Sequence, residues 1–590
     1  DAGRYQVELG SQGNNLSASI KKQIEDLNLS GIEFSESNSR YYPLGDFCSY
    51  IVGYAKSYED QSIKKMVGEM GLELSYDKTL KGKNGYKVYQ TDANGYALVD
   101  GTLREKDPTN GQDIYLTIDS GLQRDLDYLM SNAYNESGAQ VVTAGVMEIK
   151  TGRILAMSTY PSFNPNERNI STFNNYFLEG TIECGSVFKP FIYADSIEEG
   201  KYDHNAYYNS GMYNVYYGNK LVATIKDHNH GQGWGSITYD QGLYHSSNVA
   251  ICNLLDKGYV TKEVLTEKLN DLGFFQGDTM DGLACSSSIN AYTRSSAGKL
   301  EYLTTGFGQG STVTPYQLLK AYSVFGNGGK TVQPRVVEKI VDPDTNKVTY
   351  QATTQYSKQI FSENTVKEVR DLMLGVIEDQ QGTGKNYRLD NGVRMIGKTG
   401  TGQVVENGGY STSVYMHSFV GLAPYEDPQV VMFITFKSGD SYAQYMPNIV
   451  KQTMTSALQV VNQYNAPDEK TVDESYTLDS YTNQSVNYVK SKLESKSLNV
   501  QVIGNGGSVI EQYPLARSKV TSGDKIFIKT EGTDITLPDL TGWSKKEVQT
   551  YASLAEIQLV IEGTSGHVTS QSIEANQVIH KGDSLSITLS

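Results

Sequence analysis

Cysteine is scarce in this chain, with four residues in 590, at positions 48, 184, 252 and 285, and no C-x-x-C pair. That excludes a disulfide-stapled scaffold. Positive charge is in the minority, 51 Lys and Arg against 67 Asp and Glu, for a net charge of −16. Nucleic acid is therefore a poor candidate partner, because phosphates demand a basic surface. No apolar run is long enough to cross a bilayer as a helix. Histidine is rare as well, and three of the seven fall between residues 228 and 245. Length is what the chain has in abundance, so several domains are expected, the central one with a substantial core.

Three short strings stand out within that length. Ser186-Val187-Phe188-Lys189 comes first, Ser246-Ser247-Asn248 lies 60 residues on, and Lys398-Thr399-Gly400-Thr401 follows 152 residues after that. S-x-x-K alone arises by chance in many chains; all three in this order carry weight. A serine hydroxyl near neutral pH needs a base to take its proton as it attacks a carbonyl. On a helix, Lys189 would share a face with Ser186, one turn on. The apolar positions Phe188, Phe191, Ile192 and Ala194 predict a buried helix here, with Pro190 tolerated in its first turn. Burial would lower the lysine pKa and make its amine a usable base.

Ser246 and Asn248 precede Val249-Ala250-Ile251, which predicts a loop entering a buried helix. Such a loop offers a hydroxyl for proton relay and an amide to hold a substrate backbone, although S-x-N alone is more often a helix cap. Val393 to Ile396 predict a strand that carries Lys398 into a cleft. Gly400 would let an extended peptide approach the strand edge while Lys398 and Thr399 attract a terminal carboxylate. Backbone N–H groups of Ser186 and Thr401 are the expected oxyanion donors.

With these motifs the chain resembles the class B, monofunctional penicillin-binding proteins, whose signature set this is. The likeness extends to Thr143–Met157, similar to the strand pair opening their catalytic domain, and to Pro161-Ser162-Phe163-Asn164-Pro165-Asn166. It includes Gly306-Phe307-Gly308-Gln309-Gly310 with Val313-Thr314-Pro315 and Ala321-Tyr322. Arg40-Tyr41-Tyr42-Pro43-Leu44-Gly45 and Gly71-Leu72-Glu73 resemble the family's non-catalytic pedestal. The resemblance implies an α/β (α+β) fold, with a serine transpeptidase domain of antiparallel sheet flanked by helices on an elongated pedestal. It implies a peptidoglycan D,D-transpeptidase with Ser186 as nucleophile, Lys189 as base, Ser246 and Asn248 as relay and positioning groups, and Lys398, Thr399, Gly400 and Thr401 as substrate clamp. The implied partners are stem peptides ending in D-Ala-D-Ala, β-lactams and a membrane glycosyltransferase, with no cofactor required for the chemistry. Relatives carry an N-terminal membrane helix, so an anchor ahead of Asp1-Ala2-Gly3 is expected, with the catalytic domain on the extracellular side of a bacterial cell membrane.

Beyond a polar stretch at Asn465-Ala466-Pro467-Asp468-Glu469-Lys470, expected to be a linker, the chain repeats itself. Gly507-Ser508-Val509-Ile510-Glu511-Gln512 recurs 59 residues on as Gly566-His567-Val568-Thr569-Ser570-Gln571, and Val520-Thr521-Ser522-Gly523-Asp524 as Ile579-His580-Lys581-Gly582-Asp583. Each unit predicts a helix (483–493; 544–555) followed by three short strands. The pair resembles PASTA modules, with Leu537-Pro538-Asp539-Leu540-Thr541-Gly542 opening the second, and implies a division-type enzyme. The expected domains are 1–111, 112–465, 466–531 and 532–590.

The resemblance breaks two residues before the nucleophile, where relatives usually place Pro and this chain has Cys184. Together with Asp227, His228 and His230, Cys184 could complete a tetrahedral thiolate, imidazole and carboxylate set. The expectation is a structural Zn²⁺ bracing the nucleophile's helix against the Ser246 loop; the alternative is a small buried cysteine beside exposed histidines. His245, Cys48, Cys252 and Cys285 read as packing residues. Two further functions share the motifs: a β-lactamase, for which no convincing E-x-x-x-N element is present, and a non-catalytic sensor or scaffold binding β-lactams or wall fragments.

Overall fold

The computed structural model describes residues 18–27, 29–34, 40–60, 63–92, 97–406, 408–465, 476–496, 498–520, 524–563 and 567–589. The expected linker from residue 466 to 470, the chain start, Thr521 to Gly523 and Gly566 lie outside them. The chain divides into two compact units, Asp1–Asn465 and Ala466–Ser590.

At the centre of the first unit lies a sheet whose strands are apolar on both faces. Helix α1 (Ser120–Ser137) starts where the Asp119 side chain accepts the Leu122 N–H at 2.8 Å. Strands β1 (Val141–Glu148) and β2 (Ile154–Tyr160) follow as an antiparallel pair. The helices α2 (Lys189–Glu198), α3 (Asn248–Asp256), α4 (Pro315–Tyr322) and α5 (Glu363–Glu378) belong to this unit, as does a hairpin of β3 (Met212–Tyr217) and β4 (Lys220–Lys226). Strands β5 (Ile396–Glu406), β6 (Gly409–Ala423) and β7 (Val430–Ser438) complete the sheet, and α6 (Met446–Asn465) closes the unit.

The strand order is β5-β6-β7-β1-β2, antiparallel throughout, so β5 is an edge. Alternation along β7 divides the core. Met432, Ile434 and Phe436 join Leu126 of α1 and Met454 of α6 on one face, while Val431 and Phe433 join the larger cluster of Phe188, Phe191 and Leu318 on the other. Phe191 of α2 is fully buried against Phe188, Phe274, Tyr322 and Phe325. Each such ring contributes roughly 2–3 kcal/mol of burial, which makes α2 a rigid mount.

Ahead of the sheet lie two hairpins, Tyr54–Asp60 with Ile63–Met70 and Tyr86–Thr91 with Ala97–Lys106. Arg40 and Glu73, both singled out by the pedestal resemblance, meet as an ion pair at 3.1 Å, and Tyr42 donates to the same carboxylate at 3.4 Å. Among the described residues no helix is long and apolar enough to cross a membrane.

The second unit holds two copies of one pattern. The first comprises α7 (Val486–Glu494), β8 (Asn499–Ile503), β9 (Val509–Tyr513) and β10 (Lys525–Thr530). The second comprises α8 (Lys545–Ala555), β11 (Gln558–Glu562), β12 (Val568–Gln571) and β13 (Ser584–Leu589), each starting 59 residues after its counterpart. In both, the last strand is central, parallel to one neighbour and antiparallel to the other. Ser544 caps α8 in a reciprocal arrangement with Glu547. The repeats share a seam: Phe527 of β10 packs on Trp543 and Tyr551 of the second repeat, flanked by the ion pairs Lys525–Glu547 and Lys529–Glu556, each at 2.8 Å.

Candidate active site

Ser186 sits on a 3₁₀ turn, Gly185–Phe188, rather than on the α-helix itself, which begins at Lys189. In a 3₁₀ turn positions i and i+3 eclipse, so Lys189 stands over Ser186 more directly than an α-turn would allow. Ser186 is half-buried at the end of this mount, while Lys189 is fully buried.

The turn is locked by backbone contacts that tolerate no side chain. Gly185 has φ +61, its N–H donates to Gly308 O at 3.0 Å, and an added Cβ would lie 2.3 Å from Thr401 O. On the facing strand, a Cβ at Gly400 would meet Cys184 O at 2.6 Å. Strand β5 thus lies flat against the Ser186 turn, and among the described residues its outer edge has no strand partner.

The second motif joins the first through two lysines. Lys189 Nζ donates to Ser246 O at 2.5 Å and to Ser246 Oγ at 3.3 Å, and Lys398 Nζ of β5 donates to the same Oγ at 2.9 Å. Ser246 holds a left-handed φ of 59 to present this hydroxyl. Burial strips water from the Lys189 ammonium and pulls its pKa down to about 7, against the opposing negative charge of Asp227. Lys398 is pushed well below the ordinary lysine value by burial and then by Lys189. Two adjacent amines that are easily neutralised, with one hydroxyl between them, can accept and pass on a proton.

Ser247 caps α3 by accepting from Ala250 N–H at 3.1 Å, and Asn248 Nδ2 donates to Lys226 O at 2.9 Å. Thr399 Oγ1 donates to Thr383 Oγ1 at 2.9 Å, and Thr401 is exposed. The structure therefore gathers Ser186, Lys189, Ser246, Lys398 and Gly400 in one place, with Asn248, Thr399 and Thr401 beside them.

Comparison with known proteins identifies the family. The family model "Penicillin binding protein transpeptidase domain" matches residues 142–459, the "Penicillin-binding Protein dimerisation domain" matches 5–116, and the PASTA domain matches 476–532 and 535–590. The chain belongs to the penicillin-binding protein transpeptidases. It is a class B member with C-terminal PASTA domains. It is 31% identical to Stage V sporulation protein D of Bacillus subtilis over 88% of this chain and 79% of that protein. It is 28% identical to a probable peptidoglycan D,D-transpeptidase, PenA, of Neisseria gonorrhoeae over 73% and 69%. The crystal structure of penicillin binding protein 2X from Streptococcus thermophilus superposes with a TM-score of 0.67 at 26% identity, covering 100% of this chain and 89% of that one.

In this penicillin-binding transpeptidase the expected zinc set does not form. Among the described residues no group of three or more His, Cys, Asp and Glu side chains is placed to hold a metal ion. Cys184 is 1% exposed within the main core, and burial pushes its thiol far above the ordinary range, so no thiolate is offered. Asp227 accepts from four donors. His228 Nε2 donates to His245 O at 3.0 Å, and His230 is exposed. His245 stacks on Trp234 at 4.7 Å, a packing role as read from sequence.

Sequence reasoning missed two supporting residues. Thr383, whose N–H donates to Tyr244 O at 3.1 Å, ties Thr399 to the segment that leads into Ser246. Gly308 receives the Ser186 turn; its signal is the glycine-rich string 306–310, recognised by resemblance without a role.

Proposed function

We propose that this transpeptidase is a peptidoglycan D,D-transpeptidase in which Ser186 is the nucleophile and Lys189 its base. Ser186 Oγ attacks the carbonyl carbon of the penultimate D-Ala, and its proton passes to the Lys189 amine. The oxyanion is held by the N–H groups of Ser186 and Thr401. The C–N bond then breaks, the leaving D-Ala amine takes a proton relayed through Ser246, and an ester remains on Ser186. An amine of a second stem attacks that ester, its proton returns through the same relay, and Ser186 leaves with its hydroxyl restored. Asn248 positions the stem's backbone, and Lys398 to Thr401 clamp its carboxylate. A β-lactam enters the same path, but its leaving amine stays tethered, so the ester persists.

The observation that carries this reading is the convergence of Lys189 and Lys398 on Ser246 beside the Ser186 turn. We assign 1–111 to the pedestal, 112–465 to the catalytic domain, and 466–531 and 532–590 to the repeats. The enzyme works at the outer face of a bacterial cell membrane, alongside a membrane glycosyltransferase. The resemblance of the repeats to PASTA modules favours cell division, whereas the relative named for sporulation favours that process. Depletion that produces filaments supports the first, and a defect confined to spores supports the second.

The deciding test is intact mass after mixing with a penicillin. One adduct per chain is expected in the parent protein and none in Ser186→Ala; an adduct surviving that change would remove Ser186 from its role. Fast multiple turnover of a chromogenic β-lactam would point to a β-lactamase instead.

A further inference from the structure

Strand β4 ends at Lys226, and the next carboxylate, Asp227, is 1% exposed. Its Oδ1 accepts from the Ser247 hydroxyl at 2.9 Å and from the backbone N–H groups of Asn248 at 2.7 Å and Val249 at 3.1 Å. Its Oδ2 accepts from Gly211 N–H at 2.8 Å. Three of these four donors belong to the cap and first turn of α3, where a helix presents unpaired N–H groups and the positive end of its dipole. The preceding residue joins in, because the Lys226 carbonyl takes the Asn248 side chain. Ser246, whose left-handed backbone needs support from its surroundings, directly precedes the clamped residues.

We propose that Asp227 is the positioning residue of the second motif: its carboxylate pins the start of α3, so that Ser246 stays between Lys189 and Lys398, and it supplies the negative charge that Lys189 faces. This inference rests on the reading of Lys189 as the base. The titratable groups around Asp227 are Lys189 and Tyr193 on α2, Cys252 on α3, Tyr208, and its neighbour His228, with Lys398 of β5 reaching Ser246. A negative charge beside Lys189 stabilises its ammonium and holds its pKa up. Acylation needs the neutral amine, so removing that charge moves the acid limb of the pH profile to lower pH.

The experiment is the second-order rate of acylation by a penicillin in Asp227→Asn, followed by intact mass from about pH 5 to 9. The expected result is a plateau roughly 10- to 100-fold lower, from lost positioning, with the acid-limb midpoint displaced downward. A parent-like rate and midpoint would overturn the inference, and so would a uniform loss with the midpoint in place, which is what a merely structural anchor gives. Ser186→Ala runs alongside: an adduct there sinks the acylation reading itself, whereas its silence confines any failure to Asp227. Should Asp227→Asn lose its thermal transition, Ser247→Ala removes one donor, and with it the α3 cap, and leaves the charge. A severalfold loss at an unmoved midpoint is expected there, and full activity would overturn the proposal.

Discussion

The two compact units of this enzyme bury apolar side chains by the same rules and treat charge in opposite ways. The catalytic unit encloses Lys189, Lys398, Asp195 and Asp227, each at most 1% exposed. The repeat unit, among its described residues, buries the neutral Gln512 and Thr530 and keeps ion pairs such as Lys525–Glu547 toward the surface. Enclosing a titratable group is costly, because it must either carry its charge without water or be held neutral against its tendency to ionise. The difference shows where stability has been given up for reactivity.

The sharpest way to break the contrast is Lys189→Met, which swaps the buried amine for an apolar chain of similar length. Acylation by a penicillin is expected to fall by ~10²–10⁴-fold, while the melting temperature holds or rises; an unfolded variant would show the lysine to be structural. In the parent enzyme the acylation rate should climb as pH rises through about 7, where the Lys189 amine loses its proton. A flat profile across that range would remove Lys189 as the base.

Trp543→Ala tests the other unit, whose stability is expected to rest on plain packing. The loss should be ~3–5 kcal/mol by chemical denaturation, and a loss below ~1 kcal/mol would mean that the seam with Phe527 is loose.

Asp195→Asn is the subtler test. Neither carboxyl oxygen of Asp195 has a hydrogen-bond partner among the described residues, and burial raises its pKa well above the ordinary value. Below the unfolded pKa both states are protonated and the group is neutral to stability. As pH rises past that value the unfolded chain ionises and the folded one resists, so the carboxyl destabilises increasingly. The amide variant should therefore be more stable by ~1 kcal/mol near neutral pH, with the gain fading in acid. A pH-independent difference would contradict this origin. Smallest of all, Lys525→Met should change stability by less than ~1 kcal/mol.

The contrast also explains what could be read from the chain. The three motifs were legible because their chemistry demands fixed residue types, and the repeat because every element returns at one spacing. In the second repeat, residue 544 is expected as the first helical position and is instead the cap of α8. In the first repeat, residues 483–485 were expected within the helix but precede it; Asn483 has φ 66, which a helix does not admit. Asp227 was read as a metal ligand because histidines adjoin it in sequence. Its real partners, Gly211 and Ser247 to Val249, lie 16 to 22 residues away, beyond any local pattern. The zinc reading of Cys184 fails likewise and the alternative of a small buried cysteine holds, since only the packed core reveals that no thiolate is offered there.

The seam between the repeats has a polarity. Fifty-nine residues after Phe527 stands Ser586, and 59 before Trp543 stands Gln484, so the ring that projects from one module has no equivalent on the other. A chain with the modules in exchanged order would set a hydroxyl against an amide at the junction and leave a gap where two aromatics had met. Their succession is thus encoded like a tongue meeting its groove, and the halves of this near-duplicate pair are not interchangeable.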